Sequence, residues 1–299
     1  MMPFKRASFP LALFVALSLV TLGASCGRGG DDDEEDDGAV AETTLPTYSP
    51  TGKEGTLQGA ISFNGAAPAL SVISMDADSK CASSNPDAKA EDVVVTDGKL
   101  QNAFVYVSEG KLAEGNKALS GLGFNAAQPA VLDQQGCQYR PHVIGVMTRQ
   151  KVNIQNSDQT THNVNVQAQK NDKLNPSQPP ASPPIVAEFK RPETLIPVKC
   201  NQHPWMKAYI GVLGHPFFAV TGPDGSFEIK GLPPGTYTLV AWHEKLKEQK
   251  QQITVGPSET KTGLTFTFNA ATASDELDGG SLRVMPALEI PFLGGQKHH

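Results

Sequence analysis

Residues 200–206 read Cys-Asn-Gln-His-Pro-Trp-Met, so Cys200, His203 and Met206 follow one another at intervals of three. A thiolate, an imidazole and a thioether on one short loop are soft ligands that suit copper, and a mononuclear blue copper centre combines two histidines, one cysteine and a weak axial methionine. The second histidine has to come from elsewhere in the chain. Thr161-His162-Asn163-Val164 supplies it, on a valine-rich, strand-like segment just after an Asn-Ser-Asp turn at 156–158. A buried free cysteine otherwise behaves as a small hydrophobe, and a single histidine beside a methionine is ordinary packing; the four residues together are what point to a metal. Zinc is the competing metal, but a structural zinc site takes four strong cysteine or histidine ligands, which Met206 is not.

This ligand pattern resembles the cupredoxins, and within them the amicyanin type, which has the tightest ligand loop; Pro204 and the aromatic Trp205 fit that loop. Tyr139–Met147, then Val152–Asp158 and His162-Asn163-Val164, are similar to the cupredoxin strands that lead to the first ligand, so the resemblance covers roughly residues 130–216. It implies a Greek-key β-sandwich in which one histidine ends an internal strand and the remaining ligands lie between the last two strands. It also implies one type 1 copper held by His162, Cys200, His203 and Met206, with Asn163 hydrogen-bonded across to the cysteine loop. His203 then corresponds to the family's exposed point of electron exit, with Pro204 and Trp205 beside it to meet a partner.

The chain begins with Lys5 and Arg6, an apolar run from Leu11 to Leu22, and Gly23-Ala24-Ser25-Cys26. A charged start, a short apolar run and small residues describe a secretory signal over residues 1–25, and the run is short for a membrane span. A cysteine directly after the small residues resembles the bacterial lipoprotein signal, with Leu22 four rather than the usual three positions ahead of it. The resemblance implies acylation of Cys26, a membrane lipid anchor and a place in the periplasm or at the cell surface; a soluble exported form is the alternative. Residues 26–54 contain seven consecutive acidic residues, Asp31–Asp37, within a Gly-, Thr- and Pro-rich stretch. Such a segment has no apolar face and repels itself, which predicts a disordered tether. The whole chain has 31 acidic and 25 basic residues, so without the run the body is nearly neutral and shows no basic patch for nucleic acid. If Cys26 is acylated and Cys200 binds metal, Cys81 and Cys137 remain to pair in an oxidising compartment; two separate buried thiols are the alternative.

The body lacks helical periodicity and is rich in short β-branched or aromatic runs bounded by Gly, Pro, Asn and Asp, which predicts an all-β fold. The runs include Gly59–Phe63, Val93–Val95, Ala103–Val107, Val152–Ile154, Tyr209–Val212, Phe218–Val220 and Tyr237–Trp242. It is also longer than one cupredoxin needs. Residues 220–239 hold an Asp-Gly turn between alternating runs, a hairpin signal, and a second reversal at Leu232-Pro-Pro-Gly. This stretch resembles the carboxypeptidase regulatory-like domain, a prealbumin-like β-sandwich, whose first two strands fit Gly59–Pro68 and Asn102–Val107. The expected organisation is therefore a discontinuous regulatory-like sandwich, 55–110 with 217–269, carrying a cupredoxin at 111–216; two consecutive domains are the alternative. The tail, 270–299, has no legible pattern.

His142 reads as a packing or hydrogen-bonding residue. His215 and His243 stand where a second metal at the domain junction is conceivable, and His298 and His299 end the chain. The Pro-rich stretch 175–184 reads as a surface insertion. Taken together, the residues predict an exported, tethered type 1 copper protein carrying single electrons to and from a redox protein partner. The competing readings are a copper-delivery protein and an adhesion or scaffold protein in which the cupredoxin fold is only structural. An enzyme is not expected, because four ligands leave no open position for a substrate, and neither a Ser-His-Asp set nor a haem-attachment motif is evident.

Overall fold

A computed structural model describes residues 45–270 apart from Ala126, and the signal, Cys26, the acidic run and the tail beyond 270 lie outside the described residues. The described chain is all-β, with two sandwiches, one short α-helix, Ser79–Ser84, and one 3-10 turn, Leu119–Gly121. None of its helices is long and apolar enough to cross a membrane.

The first sandwich is built from the two ends of the described chain. Strand Gly55–Asn64 pairs antiparallel with Ser226–Leu232, parallel with Thr260–Asn269, and through Ser62 with Lys99–Leu100. Opposite it, Phe218–Val220, Phe104–Leu112, Gly235–His243 and Lys247–Val255 form an antiparallel sheet in that order. Period-two alternation fills the space between: Leu57, Ile61, Phe227, Ile229, Phe266 and Phe268 meet Val105, Val107, Leu239 and Ala241. The Val93–Val95 run contributes less than expected, because its strand is only Val95–Thr96.

Both reversals of the 220–239 stretch are real turns, but neither makes a hairpin. Phe218–Val220 and Ser226–Leu232 belong to different sheets, as do Ser226–Leu232 and Gly235–His243. Gly225 takes φ +65°, and a Cβ there would lie 2.6 Å from the Ile61 carbonyl oxygen, which explains the glycine. At the second reversal the Tyr237 hydroxyl donates to the Pro233 carbonyl, 2.8 Å away. Turn chemistry sets where the chain reverses; burial of alternate faces on a shared core decides which sheet each arm joins.

The second sandwich comprises Asn165–Val166, Glu193–Lys199, Lys207–Leu213 and Val143–Met147 on one side and Ile185–Glu188, Lys151–Asn156, Ala130–Gln134 and Tyr139–Arg140 on the other. Its core includes Leu132, Ile144, Val146, Val152, Ile154, Val198, Ile210 and Val212. The strand arrangement is cupredoxin-like, since the loop 200–206 joins Glu193–Lys199 to Lys207–Leu213, the last two strands of this sandwich.

The two sandwiches share a third core. Phe104, Tyr106 and Val240 turn away from the first core and pack on Val143, Leu195 and Leu213. The uninterrupted apolar runs at 104–107, 143–147 and 208–213 thus belong to strands buried on both faces. Gly145 and Gly211 admit the aromatic rings at this junction: a Cβ on Gly211 would lie 2.6 Å from Phe104 Cζ, and one on Gly145 2.4 Å from Phe218 Cδ2. Gly211→Ala is therefore expected to cost about 1–3 kcal/mol through overpacking, read as a lower urea midpoint with no change in slope. At one edge of the junction the buried Glu244 carboxylate accepts from the Tyr209 hydroxyl at 2.9 Å and pairs with His142 Nε2 at 2.5 Å and Lys207 Nζ at 3.3 Å. Burial alone would raise its pKa, but His142, Lys207 and Tyr209 together bring it down.

Part of the expected tether is folded. Tyr48 donates its N–H to the Gly123 carbonyl at 2.8 Å, packs its ring 5.6 Å from that of Phe124, and bonds Glu54 through its hydroxyl at 2.5 Å. The aromatic ring in a polar stretch gives residues 45–54 an apolar anchor that their composition conceals.

Candidate metal centre

The loop 200–206 closes on itself. Beyond the Lys199–Lys207 pair, the Cys200 N–H donates to the Met206 carbonyl at 3.2 Å, and the Met206 N–H donates to the His203 carbonyl at 2.9 Å. This tight turn places Cys200 and His203 side by side, and strand His162–Asn163 brings the other imidazole to them. His162 Nδ1 lies 2.9 Å from His203 Nδ1, which in turn lies 3.5 Å from Cys200 Sγ. All three residues are buried, and Met206 is fully buried in the same core. Nitrogen and sulfur donors bound at about 2.0–2.3 Å to one ion stand about 3–4 Å apart, so the spacing of these atoms fits a single metal.

Asn163 joins the two ligand segments. Its N–H points at Cys200 Sγ, 3.5 Å away, and its side-chain oxygen accepts the Asn201 N–H at 2.6 Å. Its amide nitrogen donates to Asn175 Oδ1 at 2.5 Å. The Pro-rich stretch 175–184 is consequently more than a surface insertion: Ser177–Gln178 pairs with His162–Asn163, and the buried Gln178 donates to the Ile154 carbonyl and accepts from Gln134. Prolines around a two-residue strand gave no period-two signal by which to find it.

Burial by itself raises the Cys200 pKa, but hydrogen bonds with His162, the Asn163 N–H and His203 more than offset it and bring the thiol down to about 6. A thiolate at neutral pH is the form that binds metal. Burial likewise lowers the His162 pKa, yet Asp158 and Cys200 outweigh it and push the imidazole up to about 9. Asp158, whose carboxylate lies 3.0 Å from His162 Nε2, also accepts the Gly136 and Cys137 N–H groups at 2.7 and 2.8 Å. Both histidines thus turn Nδ1 inward and Nε2 towards a carboxylate.

The expectation of an exposed His203 is overturned. The residue is 4% exposed, because the segment between the strands Gly55–Asn64 and Val95–Thr96 of the first sandwich crosses to the second and covers the ligand loop. Asp78 Oδ2 sits 3.3 Å from His203 Nε2 and the Lys80 ammonium donates to the Gln159 carbonyl at 2.6 Å. Asn85 donates to the Gly136 carbonyl at 3.0 Å, and a Cys81–Cys137 disulfide joins the short helix to the second sandwich. Of the loop, Pro204 is exposed and Trp205 half-buried, with its indole N–H on the Cys137 carbonyl at 3.0 Å and its ring centroid 5.1 Å from that of His203. Trp205 borders a cavity of about 180 Å³ that also touches Glu91, Asp92, His142 and Lys207.

The other histidines are not assembled into a second site among the described residues. His142 pairs with Glu244, while His215 and His243 are buried and accept backbone N–H groups, from Phe217 and Lys245 respectively, each at 3.3 Å.

Residues 202–269 match the carboxypeptidase regulatory-like domain family. The match begins inside the 200–206 loop, ahead of the strand Lys207–Leu213 that pairs in the second sandwich. Among solved structures the chain is similar to a purple cupredoxin from Nitrosopumilus maritimus, at 18% identity over 28% of this chain and 98% of that one, with a TM-score of 0.24. It is also similar to a methionine-to-alanine mutant of amicyanin in the Cu(I) form, at 17% identity over 37% and 98% of the two chains, TM-score 0.25. A third likeness, TM-score 0.27, is to a copper-containing nitrite reductase from Thermus scotoductus, at 22% identity over 34% of this chain but only 25% of that one. At these TM-scores the likenesses add no weight to the strand order and loop position described above. No curated protein matches the chain.

Proposed function

We propose that this chain is an exported, lipid-anchored type 1 copper protein that carries single electrons between redox proteins of the periplasm or cell surface. The observation behind this reading is the convergence of His162 Nδ1, His203 Nδ1 and the Cys200 sulfur, buried together with Met206 and with the thiol held low enough to be a thiolate. Two imidazoles, a thiolate and a thioether match blue copper better than zinc, calcium or magnesium. Bound copper would supply a one-electron couple; the chain's own residues hold the donor atoms in place, exclude water and shape the route to a partner. With His203 covered, that route is assigned to Trp205 and the exposed Pro204, a small contact suited to the weak docking of redox proteins. Acylation of Cys26 would provide the anchor, and the acidic run the reach.

A delivery protein is the competing reading, and the covered site disfavours it, because a metal to be handed over needs at least one ligand that a recipient can approach. An enzyme is disfavoured because Met206 would complete four ligands and leave no open position. The test is the visible spectrum of the copper-loaded protein. An intense thiolate-to-Cu(II) absorption, one copper per chain, reversible one-electron cycling and loss of the colour in Cys200→Ala are expected. A colourless protein that yields Cu(I) readily to a chelator would favour delivery instead.

A further inference from the structure

Asp78 comes from neither of the segments that supply the ligands. It stands in the stretch between two strands of the first sandwich, yet its carboxylate reaches the metal-bearing loop of the second. Oδ1 caps the short helix by accepting the Lys80 and Cys81 N–H groups at 2.8 and 3.1 Å. Oδ2 accepts from the Thr160 hydroxyl at 2.7 Å and faces His203 Nε2 at 3.3 Å. Thr160 lies two residues before His162, so one carboxylate oxygen is tied both to the turn that leads into the first histidine and to the ring of the second.

An imidazole that donates Nε2–H to a carboxylate keeps the lone pair on Nδ1, and in His203 that is the nitrogen beside Cys200 Sγ and His162 Nδ1. A carboxylate behind a ligating histidine fixes its tautomer and ring orientation and increases its basicity. The residue is also held rigidly: the helix it caps is joined to the second sandwich by Cys81–Cys137 and by the Lys80 and Asn85 bonds. We propose that Asp78 is a positioning residue of the metal centre, one that the first sandwich supplies to hold His203 on copper and to favour Cu(II) over Cu(I). This rests on the copper reading above.

The experiment compares Asp78→Asn with the wild type, both as the full chain and copper-loaded. Asparagine caps a helix as well as aspartate does, so the cover stays closed while the anionic charge is lost. The ratio of Cu(II) to Cu(I) affinity is expected to fall about tenfold, within the range found when such partners of a ligating histidine are changed. For a one-electron couple a tenfold change corresponds to a rise of about 59 mV in reduction potential. Asp76→Asn, which alters an exposed carboxylate bonded to Ser74 on the same segment, should leave both quantities unchanged. If Asp78→Asn does not fold, Asp78→Ser, which also caps, carries the same expectation. A wild type with the thiolate absorption whose folded Asp78 variant matches it within twofold in Cu(II) affinity, and in potential, overturns the role of Asp78 and leaves it a helix cap. A wild type without that absorption overturns the copper reading and this inference with it.

Discussion

Lowering the pH from 7 to 4 is expected to remove about 3 kcal/mol of stability at each of two histidines, since every tenfold difference in proton affinity between folded and unfolded chain is worth about 1.4 kcal/mol. Burial pushes the pKa of His215 from 6.5 down to about 4, against weaker raising hydrogen bonds to the backbone of Val107 and of His215 itself, and burial does the same to His243, where Glu244 offsets only part of it. His215 stacks on Phe217 at 5.3 Å with Phe124 at its edge, and His243 lies near Phe268, so neither can take up a proton without an ion among aromatic rings. The unfolded chain binds each proton near pH 6.5 and the folded chain only near 4, so the unfolded state carries more protons between these values. The contribution is therefore complete above 6.5, shrinks as the pH falls through the window and is gone below 4. Urea midpoints measured from pH 7.5 to 4.5 should show this slope, and a His215→Gln, His243→Gln double variant should flatten it. A wild-type midpoint that does not change over that range would refute the assignment.

Removing the Cys81–Cys137 bridge by a double serine substitution is expected to have the next largest effect. The two cysteines are 56 residues apart, which in the loop-closure description makes the bridge worth about 4 kcal/mol. The loss should be local in its consequence. With the helix released, Asp78 and Lys80 would no longer hold the cover against His203 and Gln159, and reduced copper should react faster with a small oxidant such as ferricyanide. Stopped-flow oxidation of the two proteins checks this; equal rates with a lowered melting temperature would show that the bridge stabilises the fold without guarding the metal.

The candidate ligands were legible because a metal site demands particular donor atoms at particular spacing, and Cys200, His203 and Met206 carry that pattern on a single loop. The turns at Asp224-Gly225 and Pro233-Pro234 were legible too, since glycine and proline act locally. What joins those turns was not, because the destination of each strand depends on which apolar face another part of the chain leaves open. The shared core had a signal that alternation rules undervalue: the unbroken runs at 104–107 and 143–147 are too apolar for strands with one wet face. The cover over His203 had none. Asp78 lies in a stretch of small and polar residues without period, 125 residues before the histidine it touches, and nothing local distinguishes it from Asp76. Glu244 was concealed in the same way, as an ordinary charge after a strand until Tyr209, Lys207 and His142 close around it.

The parallel pairing of Gly55–Asn64 with Thr260–Asn269 bears on the order of assembly. Contacts between segments some 200 residues apart form slowly, because the intervening chain must be confined first. The strands of the second sandwich, by contrast, all lie between residues 130 and 213, so during synthesis it has its full set before the last strand of the first sandwich emerges. The covering segment 65–94 precedes those strands in the chain and is fastened to them through Cys81–Cys137 and through Asp78, Lys80 and Asn85, so the candidate metal loop can be formed and covered while the first sandwich still lacks its last strand.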